Sequence, residues 1–187
     1  MEPNQERDIV LRVLGGEREA YALLVDEYKG PIFNLAYRMT GSYEDASDLA
    51  QETFARAYAN LKKFHTDRRF FTWLYTVSLN IIRNHLKKIV LFREASDKMV
   101  LGTDVNFGTD HDGAGNPEER LLETEQLAKL VTCLRKLPLD QREAVILRFY
   151  QGLPFAEMAG ILEITESAVK MRVYRALEKL KKGMAKQ

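Results

Sequence analysis

The sequence predicts an all-α protein with two small helical domains joined by a flexible linker. Apolar residues recur at helical spacing along most of the 187-residue chain, whereas the alternation typical of strands is scarce. Residues 93–116 are rich in glycine and aspartate, so they bury too little apolar surface to offset the entropy cost of ordering them. The last part of the chain has the outline of a short helix, a tight turn and a longer basic helix.

Helix start and stop signals divide the chain before this glycine-rich stretch. Gly15 ends a first amphipathic helix, and Pro31 predicts a break because proline suits the first turn of a new helix. Ser42 stands three residues before Asp45, which is typical of a helix that opens with a capping box. After the helix that Gly15 ends, the predicted helices cover about 17–28, 31–41, 42–61 and 70–90.

Similar signals follow the glycine-rich stretch. Asn116 provides an N-cap, Pro117 a first-turn proline, and the next two acids a favourable charge for a helix that ends at Pro138. Three more helices are predicted at about 140–150, 154–162 and 166–182. We therefore expect domains at 1–93 and 117–187, with the flexible linker at 94–116.

Charge and composition limit the class of protein. The net charge of +1 combines +1 over residues 1–92, −5 over 93–124 and +5 over 125–187. The basic final third indicates an anion-binding module. No apolar run is long enough to span a membrane, so no membrane insertion is expected. The N-terminus does not resemble a secretory signal, and the lone Cys133 excludes an internal disulfide framework. These features predict a cytoplasmic protein.

The final two predicted helices favour DNA binding. Val169, Val173, Ala176 and Leu180 form one apolar stripe on the longer helix. The opposite side is basic, and such a face can lie in the major groove, where side chains reach base edges and cations neutralise phosphates. An ordinary amphipathic helix with a solvated basic face is the alternative. Glu163 stands where this motif often has glycine, so the turn there requires a less favourable backbone geometry.

Two segments of contrasting charge lie in the predicted first domain. Asp48, Gln51 and Glu52 share one helix face, which suits a basic protein partner, although a solvated face would have the same pattern. Residues 62–88 have a net charge of +6 and interleave aromatic rings with cations. That combination is suited to unstacked single-stranded bases, since rings stack on bases and cations neutralise phosphates. Most of these rings are also expected to contribute to the core.

Four motifs occur in order and together resemble bacterial sigma factors of the extracytoplasmic-function group. They are DLAQETF at 48–54, FTWLYTVSLNIIRNHLKK at 71–88, LPLDQREAVILRFYQGLPFAEMAGIL at 137–162 and ESAVKMRVYRALEKLKK at 166–182. The resemblance covers nearly the whole chain except the linker. It implies a subunit that binds core RNA polymerase, recognises promoter DNA, needs no cofactor and is held inactive by an anti-sigma factor.

The resemblance also implies residue roles. Binding of core polymerase is carried over to Asp45, Asp48, Gln51 and Glu52. Contact with the melted −10 element is carried over to Phe64, Arg68, Arg69, Phe71, Trp73, Asn80, Arg83, Asn84 and Lys87, although Trp73 has a structural role as its alternative. Contact with the −35 element is carried over to Arg148, Ser167, Lys170, Met171, Tyr174 and Arg175, with Arg148 on a phosphate.

Two rival functions are weaker. An enzyme is disfavoured because the three histidines match no metal motif, no phosphate-binding or dinucleotide fingerprint is present, and the expected final glutamate of a calcium loop near Asp110 is Leu121. A helix-turn-helix regulator that is not a polymerase subunit would normally carry a sensor or receiver domain. Residues 1–92 lack the alternating strands and helices of a receiver.

Overall fold

The structure is a computed structural model that describes residues 1–95 and 129–185, and these residues form helices and turns without a strand. The helices are α1 (Pro3–Leu14), α2 (Tyr21–Thr40), α3 (Tyr43–Asn60), α4 (Phe70–Ala95), α5 (129–135), α6 (Leu139–Val145), α7 (Phe155–Leu162) and α8 (Glu166–Ala185). We call residues 1–95 the N-terminal unit and residues 129–185 the C-terminal unit. Most of the predicted linker and the helix start at Asn116 lie outside the described residues.

The N-terminal unit packs α2, α3 and α4 against one another, and α1 packs against α2 and α4. The predicted cap at Ser42 is confirmed, since its Oγ accepts a hydrogen bond of 3.1 Å from the backbone N–H of Asp45. The core of the unit includes fully buried Leu35, Leu74 and Leu79. Helix α4 extends five residues past its predicted end because the residues beyond Val90 are good helix formers without glycine or proline.

The predicted break at Pro31 is wrong. Helix α2 runs through this proline, from Tyr21 to Thr40. Leu24, Tyr28 and Ile32 are buried on one continuous stripe that crosses it. An internal proline costs about 3 kcal/mol, whereas burial of one large apolar side chain contributes about 1.5–3 kcal/mol. The free energy gained by burying the whole stripe therefore outweighs the cost of the internal proline.

The C-terminal unit is a helix-turn-helix supported by α5 and α6. The predicted stripe on α8 is confirmed, with Val169, Val173, Ala176 and Leu180 all buried. Glu163 ends α7 in the left-handed region at φ 55° and ψ 40°, the strained geometry expected when a residue other than glycine occupies this turn. The predicted helix 140–150 is present, but its last part, Ile146–Tyr150, is a π-helical turn followed by Gly152 at φ 68°.

The two units share one continuous core. Buried Met158 and Ile161 of α7 belong to the same apolar cluster as buried Leu74 and Leu79 of α4. A second, smaller cluster lies within the C-terminal unit around Cys133 and Leu180. The described units are therefore packed against each other, chiefly through α4 and α7.

Candidate nucleic-acid interface

The acidic face of α3 is accessible. Asp48 and Gln51 are exposed, and Glu52 is half-buried beside Arg56, with which it forms an ion pair one turn away. These three side chains project from the same side of the helix, as the sequence predicts. Asp45 differs from them because its carboxylate lies 3.4 Å from Nε2 of His85 on α4. Asp45 therefore contributes to packing within the N-terminal unit.

The predicted strand-binding aromatics are largely part of the core. Phe64 is buried, and its ring packs 5.0 Å from Trp73 and 5.8 Å from Phe70 between centroids. Phe71 lies 4.5 Å from Tyr75 on the same measure. The structure thus places Phe64, Phe71 and Trp73 in packing positions. Of the strand-binding residues predicted in the loop before α4, the exposed one is the cation Arg68.

A buried carboxylate organises the start of α4. Glu6 of α1 is almost completely buried and accepts hydrogen bonds from the Tyr28 hydroxyl and the Phe71 backbone N–H. Burial, with the added effect of the Glu6 carboxylate, raises the pKa of Tyr28 far above its usual value. Arg69 lies 3.7 Å from Glu6, and its guanidinium donates a hydrogen bond of 2.7 Å to Glu157 in α7.

The polar stripe of α4 faces the C-terminal unit in part. Arg83 donates from Nε and Nη2 to the two carboxylate oxygens of Glu143, each at 2.7 Å. These hydrogen bonds raise the pKa of Arg83, so its guanidinium stays protonated. Asn80 is exposed and accepts a 3.1 Å hydrogen bond from Arg83. Asn84 and Lys87 are exposed, with Lys87 on the rim of a groove between the units.

The outer face of α8 is open along its first three turns. Ser167, Lys170, Met171, Tyr174 and Arg175 are all exposed. The hydroxyl of Thr165 caps the helix by accepting a 3.2 Å hydrogen bond from the backbone N–H of Ala168. Lys170 pairs with Glu166 one turn away, so this pairing stays within the helix. The face can therefore approach a duplex without rearrangement of the C-terminal unit.

Arg148 has a structural environment. Its Nη1 donates a 2.9 Å hydrogen bond to the backbone oxygen of Leu153, and its guanidinium lies 4.8 Å from the centre of the Phe155 ring. Arg148 is half-buried and thus holds the turn before α7. It does not lie on the exposed α8 face with the other predicted −35 residues.

Sequence reasoning missed the acids that pair with the predicted DNA-binding arginines. Glu143 has only 1% of its surface exposed, and it directly precedes the buried run Ala144–Leu147. An acid beside such an apolar run requires a cationic partner, which is a usable sequence signal. Glu6 has the same signal, because it lies on the helix face of Ile9, Val10 and Val13. The sequence pattern alone does not identify either partner.

Comparisons with known proteins agree with this arrangement. The family model for "Sigma-70 region 2" matches residues 24–89, and that for "Sigma-70, region 4" matches residues 127–180. The sigma-H factor of RNA polymerase from Pseudomonas aeruginosa is 33% identical over 96% of this chain and 94% of its own length. The chain belongs to the sigma-70 family. The extracytoplasmic-function sigma factor SigW of Bacillus subtilis is likewise 33% identical, over 94% of each chain. The resemblance to the extracytoplasmic-function group is thus confirmed, and the chain is a sigma factor of this group.

Solved structures extend the similarity to the fold. CnrH, solved in complex with the cytosolic domain of CnrY, is 27% identical with a TM-score of 0.66 and covers 95% of both chains. RpoE from Bartonella quintana, solved with the anti-sigma factor NepR, matches the fold with a TM-score of 0.70 at 22% identity, over 88% of this chain and 96% of its own. Within 1–95 and 129–185, no helix of this sigma factor is long and apolar enough to cross a membrane.

Proposed function

We propose that the sigma factor uses three separate surfaces to initiate transcription. Asp48, Gln51 and Glu52 on α3 bind core RNA polymerase. The face of α4 and the loop before it bind the melted −10 strand, and the outer face of α8 binds the −35 duplex. The observation that carries this proposal is the arrangement of α8, whose apolar stripe is buried while the predicted reading residues are all exposed.

The proposed division of labour explains melting without an energy source in the chain. The C-terminal unit binds paired DNA, and the N-terminal unit captures bases that have left the stack. Extrusion of one base costs roughly a few kcal/mol, and contacts to the captured base and its phosphates offset that cost. The accessible members of this second surface are the exposed residues Arg68, Asn80, Asn84 and Lys87. The chain needs no cofactor and no catalytic activity of its own for this role.

Partners and location follow from the same proposal. CnrH and the Bartonella RpoE were each solved with a partner chain, in the second case named as an anti-sigma factor. We extend this to the present chain and propose regulation by an anti-sigma factor that covers polymerase-binding surface. Because core polymerase and promoter DNA are its proposed partners, we also propose that the protein acts in the cytoplasm. The boundaries 1–93, 94–116 and 117–187 remain predictions for the two domains and the linker.

The test combines purified protein, sigma-free bacterial core polymerase and a genomic library, followed by mapping of transcript 5′ ends. We expect transcripts that share upstream sequence at two spaced positions. The triple variant D48A/Q51A/E52A should lose core binding, because it removes the exposed polar face of α3. The matched control D8N/E19Q changes two exposed acids outside that face and should bind core normally.

Two outcomes would contradict the proposal. Normal core binding by the α3 variant would show that another surface binds polymerase. Transcription that does not depend on the protein, in a reaction where a control sigma factor works, would favour the helix-turn-helix regulator instead. Duplex binding without polymerase would then be the defining activity.

A further inference from the structure

Met171 lies at the crest of the exposed α8 face, which is the part directly opposite the buried stripe. Successive residues of a helix are rotated by about 100°, so Met171 lies about 160° around the axis from both Val169 and Val173. Those two valines are buried in the core, whereas Met171 has 48% of its surface exposed. When this face enters a groove of DNA, the Met171 side chain therefore comes nearest to the groove floor.

The cations of this face lie on either side of Met171. The ammonium of Lys170 lies 2.7 Å from the Glu166 carboxylate and 5.6 Å from the centre of the Phe155 ring, so it is held on the side of α8 nearest α7. Arg175 is exposed on the other side, one turn after Met171. In the major groove the phosphates run along both edges, and the base edges form the floor. Met171 thus stands between two cations, at the part of the face that meets base edges.

A carboxylate limits how much of α8 can lie deep in the groove. Glu178 is exposed two turns after Met171, on the same side of the helix. At 1.5 Å per residue it lies about 10 Å further along the axis. Because its charge is repelled by phosphates, contact with bases is confined to the first turns of α8, which include Met171 and Tyr174.

The chemistry at the crest is apolar. Tyr174 follows Met171 at the spacing that brings side chains together on a helix, and both are exposed. A thioether has no hydrogen to donate and accepts only weakly, so Met171 does not distinguish bases by hydrogen bonds. The apolar group that base pairs present in the major groove is the C5-methyl of thymine. Met171 is therefore suited to thymine, whose methyl it can cover, and not to the amino group of cytosine.

We propose that Met171 selects a thymine in the duplex that α8 binds, by packing its thioether against the C5-methyl group beside the Tyr174 ring. This inference rests on the proposed function, because it takes α8 as the duplex-binding surface. Single exposed apolar side chains are common on proteins, but this pair occupies the centre of a face flanked by cations. Charge draws any duplex to the face, and the apolar contact distinguishes one sequence from another. The −35 element then contains a thymine at the base pair that faces Met171.

The properties of methionine set the size of the expected effect. Its side chain is unbranched and has three rotatable bonds, so it adapts to the position of the methyl. Burial of one group of this size corresponds to about fourfold in affinity. Uracil pairs as thymine does but lacks the methyl, whereas cytosine lacks the methyl and presents an amino donor. Replacement by uracil should therefore cost about fourfold in affinity, and replacement by cytosine should cost more.

Deoxyuridine substitution tests the methyl contact in the full chain. Repeated rounds of binding to a pool of random-sequence duplexes first give a preferred duplex for the purified protein. Each thymidine of that duplex is then replaced singly by deoxyuridine, and the affinity is measured by fluorescence anisotropy. We expect binding to weaken about fourfold at one position and to stay unchanged at the others. At that position 5-methyldeoxycytidine should bind about fourfold more tightly than deoxycytidine, since the two differ only in the methyl.

Variants at Met171 identify the side chain that makes the contact. M171L keeps an apolar side chain of similar volume, so it should retain the fourfold sensitivity to deoxyuridine. M171Q has a similar length but a polar end, so it should bind the thymidine and deoxyuridine duplexes equally. The matched control is M184A, which removes an exposed methionine near the end of α8 and outside the crest. It should keep the sensitivity of the wild type.

The outcomes separate this inference from the proposed function. Unchanged binding at every deoxyuridine position would overturn the methyl contact, as would a selection that enriches no sequence. Full sensitivity in M171Q would assign the contact to another side chain. K170A/R175A removes the flanking cations and should weaken binding to the thymidine and deoxyuridine duplexes alike, by about tenfold. If K170A/R175A binds duplex as tightly as the wild type does, α8 is not the duplex-binding surface and the proposed function itself is wrong.

Discussion

Helices α4 and α8 both carry a cationic face assigned to DNA, but they present it in opposite ways. The α8 face points outward, and the ion pair of Lys170 is with Glu166 of its own helix. The α4 face points in part toward the other unit, where Arg83 is paired with buried Glu143. The same type of side chain therefore stabilises the fold on α4 and is available for ligands on α8. Position relative to the core, rather than charge, makes the difference.

The largest expected difference between the two faces is in folding stability. R83A leaves Glu143 buried without its cation, so we expect the free energy of unfolding to fall by about 3 kcal/mol. R175A removes an exposed side chain and should change it by less than about 0.5 kcal/mol. Urea unfolding followed by circular dichroism measures both. Equal losses for the two variants would mean that the α4 pair contributes no more than a surface charge.

For duplex binding we expect the opposite order, with a larger loss of affinity in R175A than in R83A. R175A is expected to weaken binding to a duplex that carries the mapped −35 element by about 1–3 kcal/mol, if its guanidinium reaches a base edge. R83A should leave this affinity unchanged, because Arg83 lies away from α8. Anisotropy titrations at several salt concentrations give both the affinity and its salt slope. An equal loss in the two variants would contradict separate strand and duplex surfaces.

Alkaline pH probes the buried side of α4. Burial raises the pKa of the Tyr75 phenol, whose hydroxyl contacts Gln151 of the other unit. A raised folded-state pKa means that the stabilisation is complete below the unfolded value near pH 10 and is lost as the pH rises further. Between pH 10 and 11 the wild type should lose about 1 kcal/mol more stability than Y75F. Parallel stability profiles of the two proteins, from urea unfolding at each pH, would show that Tyr75 does not titrate in this way.

The smallest effect concerns the turn that leads into α8. Glu163 has φ 55°, so E163G should raise the free energy of unfolding by about 1 kcal/mol through relief of backbone strain. Gly152 has φ 68° and no atom near its missing Cβ, so G152A makes the opposite change and should lose a similar amount. Thermal unfolding measures both variants. Duplex affinity should stay constant in E163G, since the turn geometry is retained.

Local patterns predicted the parts of the fold that local interactions determine. The α8 stripe is set by helical spacing, and the cap at Ser42 by residues three positions apart, so both could be read from the sequence. The break at Pro31 could not be predicted correctly, because the energy that carries α2 through the proline comes from packing against other helices. Tertiary burial there overrides a local preference.

The candidate site shows the same limit. The exposed residues of α8 follow directly from the opposite, apolar stripe. On the basic segment, composition could not distinguish rings that fill the core, such as Phe64, from side chains that remain accessible, such as Arg68. The pairing of Arg83 with Glu143 joins residues 60 positions apart. A single sequence contains the two charges but not their juxtaposition, which depends on how the units pack.

The core shared by the two units also has a consequence for the protein during its synthesis. Translation completes α4 well before the ribosome reaches the residues of α6 and α7 that cover it. At the usual rate of about 5–20 residues per second, synthesis from residue 96 to residue 143 takes roughly 2 to 10 seconds. During that interval the nascent chain has Arg83 but not yet Glu143. Cellular polyanions therefore meet the cationic face of α4 before the carboxylates that shield it have been made.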